Sequence, residues 1–188
     1  MILYQRDGEK MIILVGRSAS GKTYIGKCLE KEGFKKIVTY TTRPIRIGEV
    51  DKVDYNFITL AEFKTKIKDD FFFEYTNYND NFYGTSRFSL NDLNTYLIVE
   101  PEGLLKYQKL KNVVSFYIDA PRDVLTRRMK QRGDEEDMIS KRVKNDDIIF
   151  KDVKEHCDFT ICSIGDISSI TKEIKEKYYG RLNLATRN

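Results

Sequence analysis

Short, uninterrupted apolar runs break up a chain that is otherwise strongly polar. Met11–Val15, residues 96–99 and residues 113–118 are such runs. Their length and lack of alternation predict strands buried on both faces, as in a parallel sheet. Between them, apolar positions recur at helical spacing. Ile25 and Leu29 stand four apart in a predicted helix over 23–32, with Gly33 as a stop. Further helices are predicted over 103–109, over 121–131 with Pro121 at the start, over 138–152 and over 167–178. Residues 36–40 and 159–161 read as strands, and 133–137 as a charged break. At the start, residues 2–4 and Met11–Val15 flank Asp7-Gly8, a hairpin-type turn signal, unless the functional start is Met11.

The pattern changes from about Thr41 to Phe88. Aromatic and polar residues alternate there, strands are short, and one short helix is predicted over Leu60–Lys68. This segment reads as an insertion into a chain of alternating strands and helices. Alternation of that kind implies an α/β fold with a parallel sheet.

Composition narrows the class. Apolar residues make up 40% and charged residues 33% of the 188 residues. No apolar run approaches the roughly 18–20 residues of a membrane span, and the start lacks the order of a signal peptide. Three cysteines, Cys28, Cys157 and Cys162, make a disulfide framework improbable and suggest a reducing, cytoplasmic setting. Cys157 and Cys162 are expected to be buried about a core strand. A net charge of +4 spread along the chain argues against a nucleic-acid partner. Nothing in the sequence specifies an oligomeric state.

The chemistry enters at Gly16-Arg17-Ser18-Ala19-Ser20-Gly21-Lys22-Thr23. This fits G-x-x-x-x-G-K-[ST] between a predicted strand and a predicted helix. Backbone N–H groups of such a loop wrap a polyphosphate, and the helix points its positive end at the same anion. Lys22 reaches the β- and γ-phosphates, and the Thr23 hydroxyl serves Mg²⁺. The donor substrate is therefore expected to be ATP with Mg²⁺.

The acceptor is expected from the inserted segment. Thr41-Thr42-Arg43-Pro44-Ile45-Arg46-Ile47-Gly48-Glu49, then Asp54-Tyr55-Asn56-Phe57, Phe73-Glu74-Tyr75 and Tyr83-Gly84-Thr85 resemble the guanylate kinase family in order and spacing. With the phosphate loop and residues 128–142, the resemblance covers nearly the whole chain from Met11. It implies a P-loop NTPase-type parallel sheet flanked by helices (1–38 and 90–188), a small mixed α/β nucleotide-binding insertion (39–89) and a helical lid (about 132–141). It further implies transfer of phosphate from ATP to GMP or dGMP. Thr39, Arg43, Arg46, Tyr55 and Tyr83 are the implied acceptor-side residues, with the arginines able to grip a phosphate in fork geometry. Guanine presents two donors, N1–H and N2–H₂, and the acceptor O6. Glu74 and Glu100 are the implied partners of the donors, and Thr85 of O6. Arg132 and Arg142, with Lys22 and Arg43, are the implied catalytic cations, and Arg128 is placed on the ATP side. The lone His156 is expected to be structural.

Two departures from the family pattern stand out. Its usual Asp-x-Asp is Ile98-Val99-Glu100 here, which removes a carboxylate expected near the metal. Thr39-Tyr40 replaces a Ser-Ser pair, which removes a hydroxyl at Tyr40. Rival readings are a non-catalytic guanylate-kinase-like interaction module, a kinase of another nucleoside monophosphate, and a nucleic-acid-binding ATPase.

Overall fold

The structure is a computed structural model that describes residues 11–91, 94–111 and 113–185. The hairpin read at residues 2–10 lies outside the described residues. In chain order the elements begin with β1 (Met11–Val15), α1 (Lys22–Lys31), β2 (Lys35–Lys36), β3 (Tyr40–Thr41) and β4 (Asn56–Phe57). They continue with α2 (Leu60–Lys68), β5 (Phe72–Tyr78), β6 (Asn81–Ser86), β7 (Thr95–Ile98) and α3 (Pro101–Tyr107). β8 (Val113–Asp119), α4 (Arg122–Gln131), α5 (Glu136–Ile149), β9 (Phe159–Cys162) and α6 (Ile167–Ala185) complete them.

Five strands form one sheet in the order β2-β7-β1-β8-β9, and every pairing in it is parallel. β1 is central, and all five of its residues are buried. Ile12 and Leu14 pack into the core beneath α1 and α6, whereas Met11, Ile13 and Val15 pack into the core on the other face. Burying each such side chain stabilises the fold by about 1.5–3 kcal/mol. The continuous apolar runs thus follow from a sheet covered on both sides.

The second sheet has the order β4-β3-β6-β5. β3 pairs parallel with β4 and antiparallel with β6, and β5 pairs antiparallel with β6. α2 lies beside it, held by a capping box between Thr59 and Glu62. Phe63 of α2 stacks on Phe72, 4.4 Å between ring centroids.

Two expectations are corrected. The single strand read over 36–40 is two strands in different sheets. β2 pairs with β7 in the large sheet, and β3 pairs with β4 and β6 in the small one. The chain crosses between sheets at residues 37–39, and an apolar pattern carries no mark of such a crossing. The cysteines are also less buried than expected. Cys157 is half-buried ahead of β9, where burial pushes its thiol up to about 12, and Cys162 is exposed. β9 is an edge strand, and only Ile161 of it is fully buried.

No helix among the described residues is long and apolar enough to cross a membrane.

Candidate functional site

Gly16 ends the central strand, and its backbone passes so close to β8 that an added Cβ would lie 2.3 Å from the Ile118 carbonyl oxygen. Only glycine lets the chain turn there. Gly21 then adopts φ 99° and opens α1 with no side-chain cap and no acidic residue in the first turn. The helix N-terminus therefore carries no cap or acidic residue of its own and is suited to an external anion. Lys22 Nζ folds back onto the loop, donating to the Gly16 carbonyl at 2.5 Å and the Arg17 carbonyl at 3.0 Å. Burial lowers its pKa, and the carboxylates of Glu100 and Asp146 offset part of that loss.

This loop lines one side of a cleft of about 300 Å³, whose other walls include Arg43, Arg46, Tyr55, Tyr83, Glu100 and Arg132. Thr23 lines it as well. A smaller cavity containing Thr39, Glu74 and Thr76 adjoins it, and the two share Tyr55, Tyr83, Ile98 and Glu100. Residues from the phosphate loop, both sheets and α4 thus meet around one space.

The cations cluster. Arg46 is pushed down to about 10, first by burial and then by the neighbouring charges of Arg132, Arg43 and Arg142. Such crowding is costly without an anion to share. Two carboxylates offset it in part. Glu49 accepts both from Arg43, at 2.7 Å, and from the Arg46 backbone N–H at 2.8 Å. Asp134 accepts from Arg132 and, at 2.6 Å, from Arg142. Burial works against the Asp134 charge, but the two arginines outweigh it and hold the carboxyl below its usual range. Arg46 has no ion pair of its own among the described residues, which leaves its side chain the open one of the four.

Glu74 is 5% exposed. The β5–β6 register sets Glu74 directly opposite Thr85, and the Thr85 hydroxyl donates to Glu74 Oε1 at 2.7 Å. The Tyr107 hydroxyl donates to the same oxygen at 3.2 Å. The other oxygen faces Gly103, where an added Cβ would come within 2.9 Å of it. Burial raises the pKa of Glu74, against the pull of these donors. Burial likewise raises Glu100 to about 7, with Lys22 opposing and Asp146 adding to the rise. The Thr85 hydroxyl proton is thus directed at Glu74 and not outward into the cavity, as its expected contact with O6 requires. Cross-strand pairing is the cause.

Arg128, which the resemblance places on the ATP side, is half-buried and lines the cleft beside the phosphate loop. Its guanidinium donates to the Ala19 and Ser20 carbonyls at 3.3 Å each and to the Ser163 carbonyl at 2.7 Å. Tyr40, the departure beside Thr39, points away from the cleft and packs edge-on against Phe71 and Phe72. Strand alternation sends Tyr40 to one face of the small sheet and its neighbours to the other.

Tyr107 escaped the sequence reading, and so did two residues beside the phosphate loop. Asp146 of α5 is 3% exposed and accepts from the Ser18 backbone N–H at 2.7 Å. Tyr78, on β5, donates to Asp146 and meets the Ser18 hydroxyl at 3.1 Å. A signal did exist. Ile139, Val143 and Asp146 lie on one helical face, so a carboxylate stands where an apolar residue is due.

Comparison with known proteins agrees with this architecture. The family model described as guanylate kinase matches residues 8–177. The guanylate kinase of Bdellovibrio bacteriovorus is 33% identical over 181 residues, covering 91% of this chain and 92% of that one. That of Protochlamydia amoebophila is 36% identical over 154 residues, covering 76% and 78%. The crystal structure of guanylate kinase from Anaplasma phagocytophilum superposes with a TM-score of 0.73 at 21% identity, covering 94% of this chain and 87% of that one. That structure speaks for the fold, and the sequence matches, running through phosphate loop, arginine cluster and buried glutamate alike, make this chain a member of the guanylate kinase family.

Proposed function

We propose that this protein transfers the γ-phosphoryl group of ATP to GMP, and to dGMP, with the cleft between the two sheets as its active site. One observation carries the reading: a cleft lined by the phosphate loop and arginines adjoins a cavity lined by the buried carboxylate of Glu74, the two sharing Tyr55, Tyr83, Ile98 and Glu100. In the reaction an anionic oxygen of the GMP phosphate forms a bond to the γ-phosphorus as the bond to the bridging oxygen breaks and ADP leaves. The attacking oxygen is already ionised, so no general base is required. Catalysis is then a matter of positioning and of cations around the moving group.

Lys22 leaves its two loop carbonyls for the β- and γ-phosphates, and the loop N–H groups hold the same anion. Arg46, Arg43, Tyr55 and Tyr83 take the GMP phosphate. Burial raises the phenol pKa of both tyrosines, so each keeps its proton to donate. Glu74 accepts from the guanine N1–H and N2–H₂ with the oxygen near Gly103, while Thr85 and Tyr107 fix its other oxygen. Glu100 feels the charges of Lys22, Asp146 and Glu74. Arg132 and Arg142 swing from Asp134 to the transferring phosphoryl, and the segment 132–141 closes with the 39–89 segment over the substrates.

A divalent metal accompanies ATP in this family's chemistry, and we take it to be Mg²⁺. Mg²⁺ keeps several waters and needs few protein ligands. The residues fit that habit. Thr23 offers a hydroxyl on the cleft wall, Glu100 offers a carboxylate in the same cleft, and no cluster of three acidic, His or Cys ligands is present among the described residues. When bound it supplies neutralising charge to the polyphosphate.

The test is ADP release measured with each nucleoside monophosphate in turn. GMP and dGMP should be turned over far faster than AMP, CMP or UMP, by about 10⁴-fold where polar matching is complete. Comparable turnover of AMP overturns the assignment of Glu74.

A further inference from the structure

Ser18 sits in a closed ring of three hydrogen bonds that ties the phosphate loop to both the small sheet and α5. Its backbone N–H donates to Asp146 Oδ2 at 2.7 Å. The Tyr78 hydroxyl donates to Asp146 Oδ1. The Ser18 and Tyr78 hydroxyls are 3.1 Å apart. Tyr78 has one proton and gives it to the carboxylate, so the Ser18 hydroxyl is the donor in the remaining contact. Each member thereby polarises the next.

We infer that Tyr78 and Asp146 are positioning residues of the donor site, fixing the Ser18 peptide and hydroxyl, and with them the mouth of the phosphate loop. The inference rests on the reading of this cleft as an ATP site. Asp146 is buried beneath the loop and is not part of the cleft wall, so it acts through Ser18; Tyr78 lines the cleft, and the Asp146 variants separate positioning from a direct contact of its ring. The adjacent Asp147 reinforces the attachment, pairing with Arg17 at 3.2 Å and Arg122 at 3.1 Å. Tyr78 makes the link two-sided. It belongs to β5, the strand that also carries Glu74, yet its hydroxyl serves the donor loop. Burial, then Glu100 and Asp146, raise the phenol pKa, so the proton stays in the ring of bonds.

The test compares Tyr78→Phe, Asp146→Asn and Asp146→Ala with the unaltered protein. Calorimetry reads affinity for the non-hydrolysable ATP analogue adenylyl imidodiphosphate with Mg²⁺. Initial rates give KM for ATP and for GMP separately. Tyr78→Phe keeps the aromatic ring and removes two of the three hydrogen bonds, one of them charge-assisted, so analogue affinity should fall about tenfold while the KM for GMP stays within about twofold. Asp146→Asn keeps an acceptor for Ser18 and a polar partner for Tyr78, and should restore most of what Asp146→Ala loses. An unchanged analogue affinity in Tyr78→Phe overturns the inference, as does a loss shared equally by the GMP side. If Asp146→Ala does not fold, Tyr78→Phe decides alone. If the unaltered protein binds the analogue but leaves GMP untouched, the acceptor assignment falls, while the analogue titration still tests the ring.

Discussion

At one side of the cleft, Lys22 donates to two main-chain carbonyls of its own loop, five and six residues away. At the other, Glu74 accepts from the side chains of Thr85 and Tyr107, eleven and thirty-three residues away. The donor side is made of backbone bent by glycines. The acceptor side is made of side chains brought together by strand register and helix packing. A backbone site tolerates change at its variable positions but not at its glycines or its lysine. A side-chain site depends on every partner, and each partner tunes what the neighbours can bind.

The largest expected effect tests the donor side. Lys22→Ala should lower kcat by roughly 10²–10³-fold, the usual consequence of losing one well-placed electrostatic group. Rates of GMP-dependent ADP release measure it, and a melting temperature near the parent's separates chemistry from folding. Glu74→Gln comes next and acts on selectivity. A glutamine presents an N–H₂ group to the guanine donors, so kcat/KM for GMP should fall about 10²-fold and the preference over AMP should shrink with it. An unchanged preference would place base recognition elsewhere.

A third prediction concerns pH. Glu100 is held near 7, so below that pH it carries a proton and above it a carboxylate. In its proposed role as guanine or metal-water partner it would work ionised, and kcat/KM for GMP should then rise as pH climbs through about 7. Glu100→Gln should flatten that limb. The sign for stability is opposite. Between about 4.5 and 7 the folded state keeps a proton that the unfolded state has lost, so unfolding free energy should decrease as pH rises across that window. The smallest effect is expected at Tyr40. Tyr40→Phe should leave both KM values unchanged, because the ring packs on Phe71 and Phe72 away from the cleft. Tyr40→Ala should lower the melting temperature, since each such ring pair contributes about 0.5–1.5 kcal/mol.

The same contrast explains what could be read from the sequence. The phosphate loop is contiguous, so one stretch of eight residues carries both its shape and its chemistry. The parallel strands were legible because burial on both faces leaves an unbroken apolar run. β2 and β3 were not, because two-residue strands leave too short a pattern to reveal that they join different sheets. On the acceptor side, the family resemblance pointed to Glu74 and Thr85, but not to their bond with each other. That bond is a matter of register, which the sequence alone does not fix. Tyr78 and Asp146 stand 68 positions apart and meet only through folding. Glu49 and Asp134, which hold the arginines at rest, lie within stretches already read for their cations, and their pairing needs the turn geometry to be seen.

The central place of β1 has a consequence for how the molecule opens. Local unfolding starts where backbone hydrogen bonds are few and exposed, and the middle of a covered sheet is the last to yield. β1 is paired on both sides and buried throughout, whereas β2 is a two-residue edge strand and the small sheet ends on the short strand β4. Amide protons of β1 should therefore exchange with solvent among the slowest in the chain, and those of β2 and β4 among the fastest. A partly opened molecule would keep the strand that launches the phosphate loop while the acceptor wall has already come apart.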